Sequence, residues 1–247
     1  MARKRILLVA AITHIFLLGC TAQPEQLLQS EPAIKKSVNS YATLGFAYLE
    51  RGNNERAKRA FIKAIDLDRD AADVLHGMAL IYQKEGETRL AEYYFTQALN
   101  KRDSFSVARN NFAAFLYQEG RYEDACEQLK ITVRDTLYAN RQLAFENLGL
   151  CQLKLNQQSE AEESFKRALQ LDRSSYHSSS RALLELADLK QKQNRPLDAW
   201  SYLQQHLEVA KTSKRSLMLG IQLAEQLGKR AERSRYLSEL SRLNPSS

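Results

Sequence analysis

Residues 41–64 read YATLGFAYLERGNNERAKRAFIKA, and residues 75–98 read LHGMALIYQKEGETRLAEYYFTQA. The two stretches carry the same types of residue at eight shared positions. These positions are Tyr41, Leu44, Gly45, Tyr48, Gly52, Ala57, Phe61 and Ala64 in the first stretch, and Leu75, Met78, Ala79, Tyr82, Gly86, Ala91, Phe95 and Ala98 in the second. A match at so many positions indicates an internal repeat.

The interval from Tyr41 to Leu75 is the period of tetratricopeptide repeats, each of which is a helical hairpin of about 34 residues. Small residues are expected where the two helices of a hairpin cross, as at Gly45 and Ala57, and Phe61 is expected to fill the space around the crossing. Gly52 and Gly86 are predicted to end the first helix of their repeats, because glycine readily adopts the left-handed conformation found there.

The pattern continues through the rest of the chain with growing irregularity. It predicts repeats near residues 38–71, 72–105, 106–139, 142–175, 180–213 and 214–247, with slips of two and four residues before the fourth and fifth. With 44% hydrophobic residues, the chain can bury a continuous core between stacked helices. We therefore predict an all-α, right-handed superhelical solenoid of about six tetratricopeptide hairpins.

The first residues have the pattern of a bacterial lipoprotein signal. Three basic residues precede the apolar run 6–18, which is shorter than the helix of about 20 residues that spans a bilayer. The run ends in Leu17-Leu18-Gly19-Cys20, which resembles the box at which a lipoprotein is cut and acylated. We predict a signal peptide at 1–19, a lipid on Cys20 and a flexible tether through residue 37. An ordinary signal peptide that contains a cysteine is the alternative.

Thr21, the residue after the cysteine, indicates the membrane to which the lipoprotein is sorted. Thr21 stands where the inner-membrane retention signal of enteric bacteria would be aspartate. By that resemblance we expect a lipid anchor in the outer membrane, on its periplasmic face. Several acyl chains hold a protein stably at a membrane, whereas one holds it only marginally.

Charge and composition do not indicate an enzyme. Without the signal, 33 basic and 29 acidic residues remain, so the balance is nearly even. A late basic cluster is interpreted as a solvated helix face rather than a nucleic-acid or anionic-lipid patch; it comprises Lys229, Arg230, Arg233 and Arg235. His76, His177 and His206 lack metal-ligand neighbours at the usual spacing. We expect no catalytic residue, metal, cofactor, nucleic acid or small-molecule substrate.

Two cysteines remain in the repeat region. Cys126 and Cys151 fall at repeat positions that face the contact between one hairpin and the next. A disulfide is possible in a periplasm, and two buried small hydrophobic residues explain the pattern equally well. Both interpretations stay open on the sequence.

A concave groove is the expected functional surface, because the first helix of each repeat lines it in this architecture. Asparagine side chains there can pair with the backbone of an extended peptide, and apolar neighbours can bury its side chains. The alternative is that these residues pack within the solenoid. The predicted partner-binding residues are Phe46, Leu49, Asn110, Asn111, Tyr117, Gln118, Glu146, Asn147, Leu150 and Lys154.

Residues 110–151 carry more specific motifs than the general repeat. They include Asn110-Asn111-Phe112, Phe115-Leu116-Tyr117, Gly120-Arg121-Tyr122, Asp135-Thr136-Leu137-Tyr138 and Asn147-Leu148-Gly149. With Arg51-Gly52-Asn53 and the lipoprotein box, this set resembles the type IV pilus biogenesis and stability lipoproteins, the PilF/PilW family. The likeness covers essentially the whole mature chain and is weakest after Tyr176.

The resemblance implies a pilotin, which binds the secretin subunit of the pilus machine and promotes its outer-membrane localisation and multimer assembly. It places the lipid on Cys20 and the partner at Asn110, Asn111, Asn147 and the turn around Tyr138, although Tyr138 can instead serve to lock the stacking of the repeats. A different tetratricopeptide lipoprotein, an adaptor for cell-wall hydrolases or a subunit of barrel assembly, is the rival interpretation.

Overall fold

The computed structural model describes residues 30–172 and 179–243, which form twelve α-helices and contain no strand. The helices are α1 (Glu31–Glu50), α2 (Asn54–Leu67), α3 (Ala72–Glu85), α4 (Thr88–Lys101), α5 (Ser106–Gln118), α6 (Tyr122–Thr132), α7 (Arg141–Lys154), α8 (Gln158–Leu171), α9 (Ser180–Lys192), α10 (Pro196–Val209), α11 (Lys214–Gln226) and α12 (Arg230–Leu243). None of the twelve helices described combines the length and the hydrophobicity that a membrane-spanning helix requires. The predicted signal peptide and Cys20 lie outside the described residues.

The first helix begins earlier than the sequence suggested. The sequence predicts a flexible tether through residue 37, whereas α1 begins at Glu31. Pro32 lies in the first turn of α1, where the missing N–H of proline costs no helical hydrogen bond and its fixed φ suits a helix. A proline interpreted as part of a flexible segment therefore stands at the start of a helix.

The chain divides into two compact units between Ile81 and Tyr82. In the N-terminal unit, the buried ring of Phe61 lies against two glycines, Gly45 of α1 and Gly77 of α3. A Cβ atom added at Gly45 would lie 2.4 Å from this ring, and one at Gly77 would lie 2.3 Å from it. The predicted packing of Phe61 against Gly45 is confirmed, and Gly77 adds a second contact that the repeat pattern did not indicate.

The C-terminal unit uses the same glycine–aromatic packing. The buried Phe165 of α8 lies beside Gly149 of α7, and the buried Tyr236 of α12 lies beside Gly220 of α11. An added Cβ would approach these rings to 2.6 Å and 2.9 Å, respectively. In each hairpin the missing side chain lets the two helices pack closely around one ring.

A residue with positive φ follows the first helix of every hairpin among the described residues. These residues are Gly52, Gly86, Gly120, Asn156, Asn194 and Gly228. The intervals on either side of Asn156 are longer than the others, and they fall where the sequence pattern slips. The left-handed turns predicted at Gly52 and Gly86 are confirmed. Asparagine, which also tolerates this conformation, replaces glycine at Asn156 and Asn194.

Cys126 of α6 and Cys151 of α7 form a disulfide, with their Cα atoms 5.7 Å apart. Both residues are buried. The bond joins the second helix of one hairpin to the first helix of the next, which is the contact where the sequence placed both cysteines. Of the two interpretations that the sequence left open, the structure contains the disulfide.

Candidate partner-binding cleft

A cleft of about 260 Å³ lies on the C-terminal unit and is lined mainly by the first helices of three successive hairpins. Its lining residues are Ala113, Ala114, Tyr117 and Gln118 of α5, Leu129 of α6, Asn147 and Leu150 of α7, and Arg181 of α9. We call this surface the central cleft. Apolar side chains, amides, one phenol and one guanidinium group meet in it, which suits a ligand with both side chains and a peptide backbone.

One amide of the cleft is held by a second amide beneath it. The Asn147 side-chain nitrogen donates a hydrogen bond to the side-chain oxygen of Asn110 over 3.2 Å. Asn110 is buried, whereas Asn147 is half-buried and lines the cleft. Asn110 therefore orients Asn147, and only Asn147 is placed to meet a ligand.

The cleft residue Tyr117 is one member of an aromatic pair. The rings of Tyr117 and Tyr122 contact edge to face with centroids 5.2 Å apart, and the Lys154 ammonium lies 5.7 Å from the Tyr122 centroid. Burial raises the pKa of Tyr117 above its usual value, although the positive charge of Lys154 opposes the shift. The Tyr117 phenol is thus protonated at neutral pH and can donate a hydrogen bond.

Glu146 supports the cleft from below. Its carboxylate is buried and accepts a hydrogen bond from the backbone N–H of Ala182 over 2.9 Å. Ala182 lies in the first turn of α9, where backbone N–H groups have no partner within the helix. Burial raises the pKa of Glu146, and the nearby positive charge of Arg181 opposes this shift. The contact fixes the start of α9, which carries Arg181 into the cleft.

The specific turn between α6 and α7 is organised by Asp135. One oxygen of its carboxylate accepts from the Ser106 hydroxyl over 2.5 Å, and the other accepts from the Leu137 backbone N–H over 3.0 Å. The hydrogen bond from Ser106 lowers the pKa of Asp135. Tyr138 is half-buried and Leu137 is 92% exposed. The half-burial of Tyr138 is compatible with a role in stacking the repeats.

The N-terminal unit has a separate cleft of about 300 Å³. It is lined by Tyr41, Leu44, Tyr48, Arg56, Arg59, Ala60 and Lys63. Arg56 lies over the ring of Tyr48 and Lys63 lies over the ring of Tyr41, with centroid distances of 5.8 Å and 5.7 Å. We call this surface the N-terminal cleft. Tyr41 and Tyr48 are separated by the same number of residues as Arg56 and Lys63. This equal spacing is a signal for the N-terminal cleft in the sequence, and it is separate from the repeat positions that predict the concave groove.

Comparison with known proteins identifies the family. A tetratricopeptide-repeat model matches residues 38–70 and 144–175. The type IV pilus assembly protein PilF of Pseudomonas aeruginosa is 34% identical over 232 residues, which are 94% of this chain and 90% of that protein. The chain belongs to the PilF family. The resemblance stated from residues 110–151 is thereby confirmed.

Solved structures agree with this assignment to the PilF family. The structure of Pseudomonas aeruginosa PilF matches with a TM-score of 0.80 at 35% identity, covering 87% of this chain and 95% of the other. The structure of PilW, a widely conserved type IV pilus biogenesis factor, matches with a TM-score of 0.71 at 25% identity, covering 85% of this chain and 94% of the other. The predicted all-α tetratricopeptide fold is therefore confirmed.

The residues predicted to bind a partner fall into three groups in this PilF-family chain. Tyr117, Gln118, Asn147 and Leu150 line the central cleft, Asn110, Asn111, Glu146 and Lys154 lie on the same two helices, and Phe46 and Leu49 belong to the N-terminal unit. Leu49 is buried, and Phe46 packs edge to face on Phe61 with centroids 5.1 Å apart. Arg181 lines the cleft without having been singled out, because its repeat is faint in the sequence.

Proposed function

We propose that this protein is an outer-membrane lipoprotein of type IV pilus biogenesis that binds the secretin and promotes its localisation and assembly into a multimer. Membership of the PilF family supports the process, since the named relatives are a type IV pilus assembly protein and a type IV pilus biogenesis factor. The observation that carries the binding role is the convergence of Tyr117, Gln118, Asn147 and Leu150 in one cleft.

The cleft suits an extended segment of protein. Asn147 and Gln118 offer both donors and acceptors, so they can pair with a peptide backbone whatever its side chains. Leu150 and the half-buried Ala114 provide an apolar surface that can bury one ligand side chain. The phenol of Tyr117 adds a hydrogen-bond donor at the edge. Binding, rather than catalysis, is the role that such a surface supports.

The lipid on Cys20 supplies the location in this proposal. A partner held in the cleft would travel with the lipoprotein to the outer membrane and remain there at high local concentration. Multimers of the secretin would then form where the anchor places its subunits. This step rests on the lipoprotein box in the sequence.

Capture of the partner from envelopes tests the proposal. The tagged, lipidated protein is purified from detergent-extracted envelopes, and the bound proteins are identified by mass spectrometry. We expect the secretin as the main partner, and at least about tenfold weaker capture by a Tyr117→Ala, Leu150→Ala double variant. The matched control is Tyr93→Ala with Leu197→Ala, because these two side chains are exposed on other helices of the same unit.

The other outcomes separate the parts of the proposal. Recovery of cell-wall hydrolases or barrel-assembly subunits in place of the secretin would contradict the pilotin role. Loss of secretin capture only in a Tyr41→Ala, Leu44→Ala variant would move the binding surface to the N-terminal cleft. Circular dichroism of every variant shows whether the helices are retained.

A further inference from the structure

Two arginines at equivalent positions of neighbouring hairpins have different surroundings. Arg181 is the second residue of α9 and Arg215 is the second residue of α11. Each precedes the left-handed residue of its hairpin, Asn194 or Gly228, by the same number of positions. The two arginines thus occupy equivalent positions in their repeats. The contacts of Arg215 therefore indicate which groups an arginine at this position can bind.

Arg215 is fully engaged by carboxylates of the preceding hairpin. Its two terminal nitrogens donate to the two oxygens of Glu185 over 2.5 Å and 2.8 Å, and one of them also pairs with Asp188. This is the two-pronged geometry in which arginine binds a carboxylate most strongly. Glu185 and Asp188 lie nine and six residues before the left-handed Asn194.

Arg181 faces the same two positions without finding a carboxylate there. Nine and six residues before Asn156, the corresponding left-handed residue, stand Asn147 and Leu150. Both of these residues line the central cleft together with Arg181. Arg181 is exposed and forms no ion pair or hydrogen bond with any residue that the structure describes. At the two positions where Arg215 finds carboxylates, the described residues beside Arg181 offer an amide and an apolar side chain, and the nearby Glu146 carboxylate acts on Arg181 only through its charge.

The acidic groups near the cleft are already satisfied. Glu146 is buried and accepts from the Ala182 backbone, and Glu185 pairs with Arg215. Lys154 of α7 is exposed, its ammonium lies 5.7 Å from the centroid of the Tyr122 ring, and it has no ion pair among the described residues. The charges left available to a ligand at this cleft are therefore positive.

We propose that the central cleft binds an extended acidic protein segment, in which an aspartate or glutamate carboxylate is held by Arg181 and a neighbouring apolar side chain packs on Leu150. Asn147 and Gln118 pair with the backbone between these two side chains. The proposal rests on the proposed function and specifies the chemistry of the segment that the cleft selects.

The probes are short fluorescein-labelled peptides tiled across the secretin of the same bacterium. Each has a copy in which every Asp and Glu is replaced by Asn and Gln, and an unrelated set of acidic peptides with neutral copies is included. Binding to the full lipoprotein in detergent is measured by fluorescence anisotropy. We expect the acidic form of a binding peptide to bind at least about tenfold more tightly than its neutral copy, with a strong dependence on salt.

Two substitutions, each with a control, test whether Arg181 binds the acidic side chain. Arg181→Gln is expected to remove the preference for acidic peptides, while Arg167→Gln, a change at another exposed arginine of the same unit, leaves it intact. Asn147→Glu places a carboxylate where Glu185 stands relative to Arg215. This carboxylate is expected to form an ion pair with Arg181 and to lower the affinity for acidic peptides at least about tenfold, with the helical content unchanged. Asn147→Gln, which adds no charge, is expected to lack this effect.

The outcomes distinguish this inference from the proposed function. Secretin peptides that bind equally well in acidic and neutral form, and equally well to Arg181→Gln, would overturn the inference and leave the secretin role in place. Acidic peptides of the unrelated set that bind through Arg181, while no secretin peptide binds, would support the inference and overturn the secretin role. Absence of binding by every peptide would overturn the inference, and envelope capture would then decide the secretin role separately.

Discussion

The contact between Gly149 and Phe165 leaves no space for a side chain on α7. An added Cβ would lie 2.6 Å from the ring, well inside the contact distance of two carbon atoms. We predict that Gly149→Ala lowers the free energy of unfolding by about 1–3 kcal/mol, because the ring and the helices must shift to admit the methyl group. Chemical denaturation followed by circular dichroism measures this change.

A second substitution tests the cause of that loss. Phe165→Leu removes part of the ring that the new methyl group would meet. If overpacking is responsible, adding Gly149→Ala to the Phe165→Leu protein should cost less than adding it to the wild type. Equal costs in the two backgrounds would mean that the glycine acts through the backbone instead.

His76 links the stability of the N-terminal unit to pH. Burial lowers its pKa from 6.5 to about 4, and the charge of Asp73 opposes this shift only in part. The unfolded chain therefore takes up a proton at a higher pH than the folded chain. We predict that the contribution of His76 to the free energy of unfolding is complete above pH 6.5 and falls by up to about 3 kcal/mol as the pH drops to about 4.

Denaturation curves at several pH values from neutral down to about 4 test this prediction. The control is His76→Gln, in which position 76 no longer titrates, so its stability should vary less over the same range. A variant with the same pH dependence as the wild type would assign the effect to other groups.

At the scale of helices, the contact between α8 and α9 includes one carboxylate shared by two lysines. Glu162 of α8 pairs with Lys166 of the same helix and with Lys190 of α9, each over 2.6 Å. Burial alone would raise the pKa of Glu162, but the hydrogen bonds from the two lysines lower it to about 2. The ionised carboxylate thus contributes stability above pH 4.5 that is lost as the pH falls towards 2.

The two lysines provide a matched comparison. The Lys190 side chain is 3% exposed, whereas that of Lys166 is 47% exposed. We predict that Lys190→Ala lowers the free energy of unfolding by about 2–3 kcal/mol, because a charge-assisted hydrogen bond in a buried site is lost. Lys166→Ala should cost only about 0.3–0.5 kcal/mol, as for other exposed pairs on a helix. Equal losses in urea denaturation would contradict this argument from burial.

The disulfide between α6 and α7 adds a covalent link between consecutive hairpins. It closes a loop with a sequence separation of 25 residues. We predict that Cys126→Ala with Cys151→Ala lowers the free energy of unfolding by about 3–4 kcal/mol, because the unfolded chain gains freedom. In thermal denaturation, reductant should lower the stability of the wild-type protein by the same amount as the double substitution. Free thiols on alkylation of the unreduced, unfolded protein would show that the bond is absent.

At the scale of the whole molecule, the helical repeat could be predicted from the sequence, but several supporting contacts could not. The glycines and alanines of the first two repeats are local signals that recur at a constant interval. The left-handed turns at Asn156 and Asn194 contain no glycine, so the glycine pattern of the first repeats does not indicate them. Asn110 and Glu146 were expected to meet a partner, but their burial depends on the neighbouring hairpins. The role proposed for Arg181 follows only from comparing its surroundings with those of Arg215.

The anchor is the feature of the whole molecule that the structure does not describe, and it stays a prediction. We expect that Cys20→Ala leaves the helical content unchanged and abolishes recovery of the protein in the outer-membrane fraction, since no acyl chain can be attached. Membrane fractionation followed by immunoblotting tests this. Recovery of the variant at wild-type levels would contradict a lipid anchor at this position.

The left-handed turns also indicate where this chain can accept inserted sequence. Each left-handed residue follows its first helix within two positions, and among the described turns only glycine or asparagine occupies this place. The extra residues of the longer intervals fall instead between hairpins, and one of these connections carries the 92% exposed Leu137. An epitope tag or a fluorescent label is therefore best placed in a connection between hairpins, where the chain has already accommodated additional length, and kept out of the turns within them.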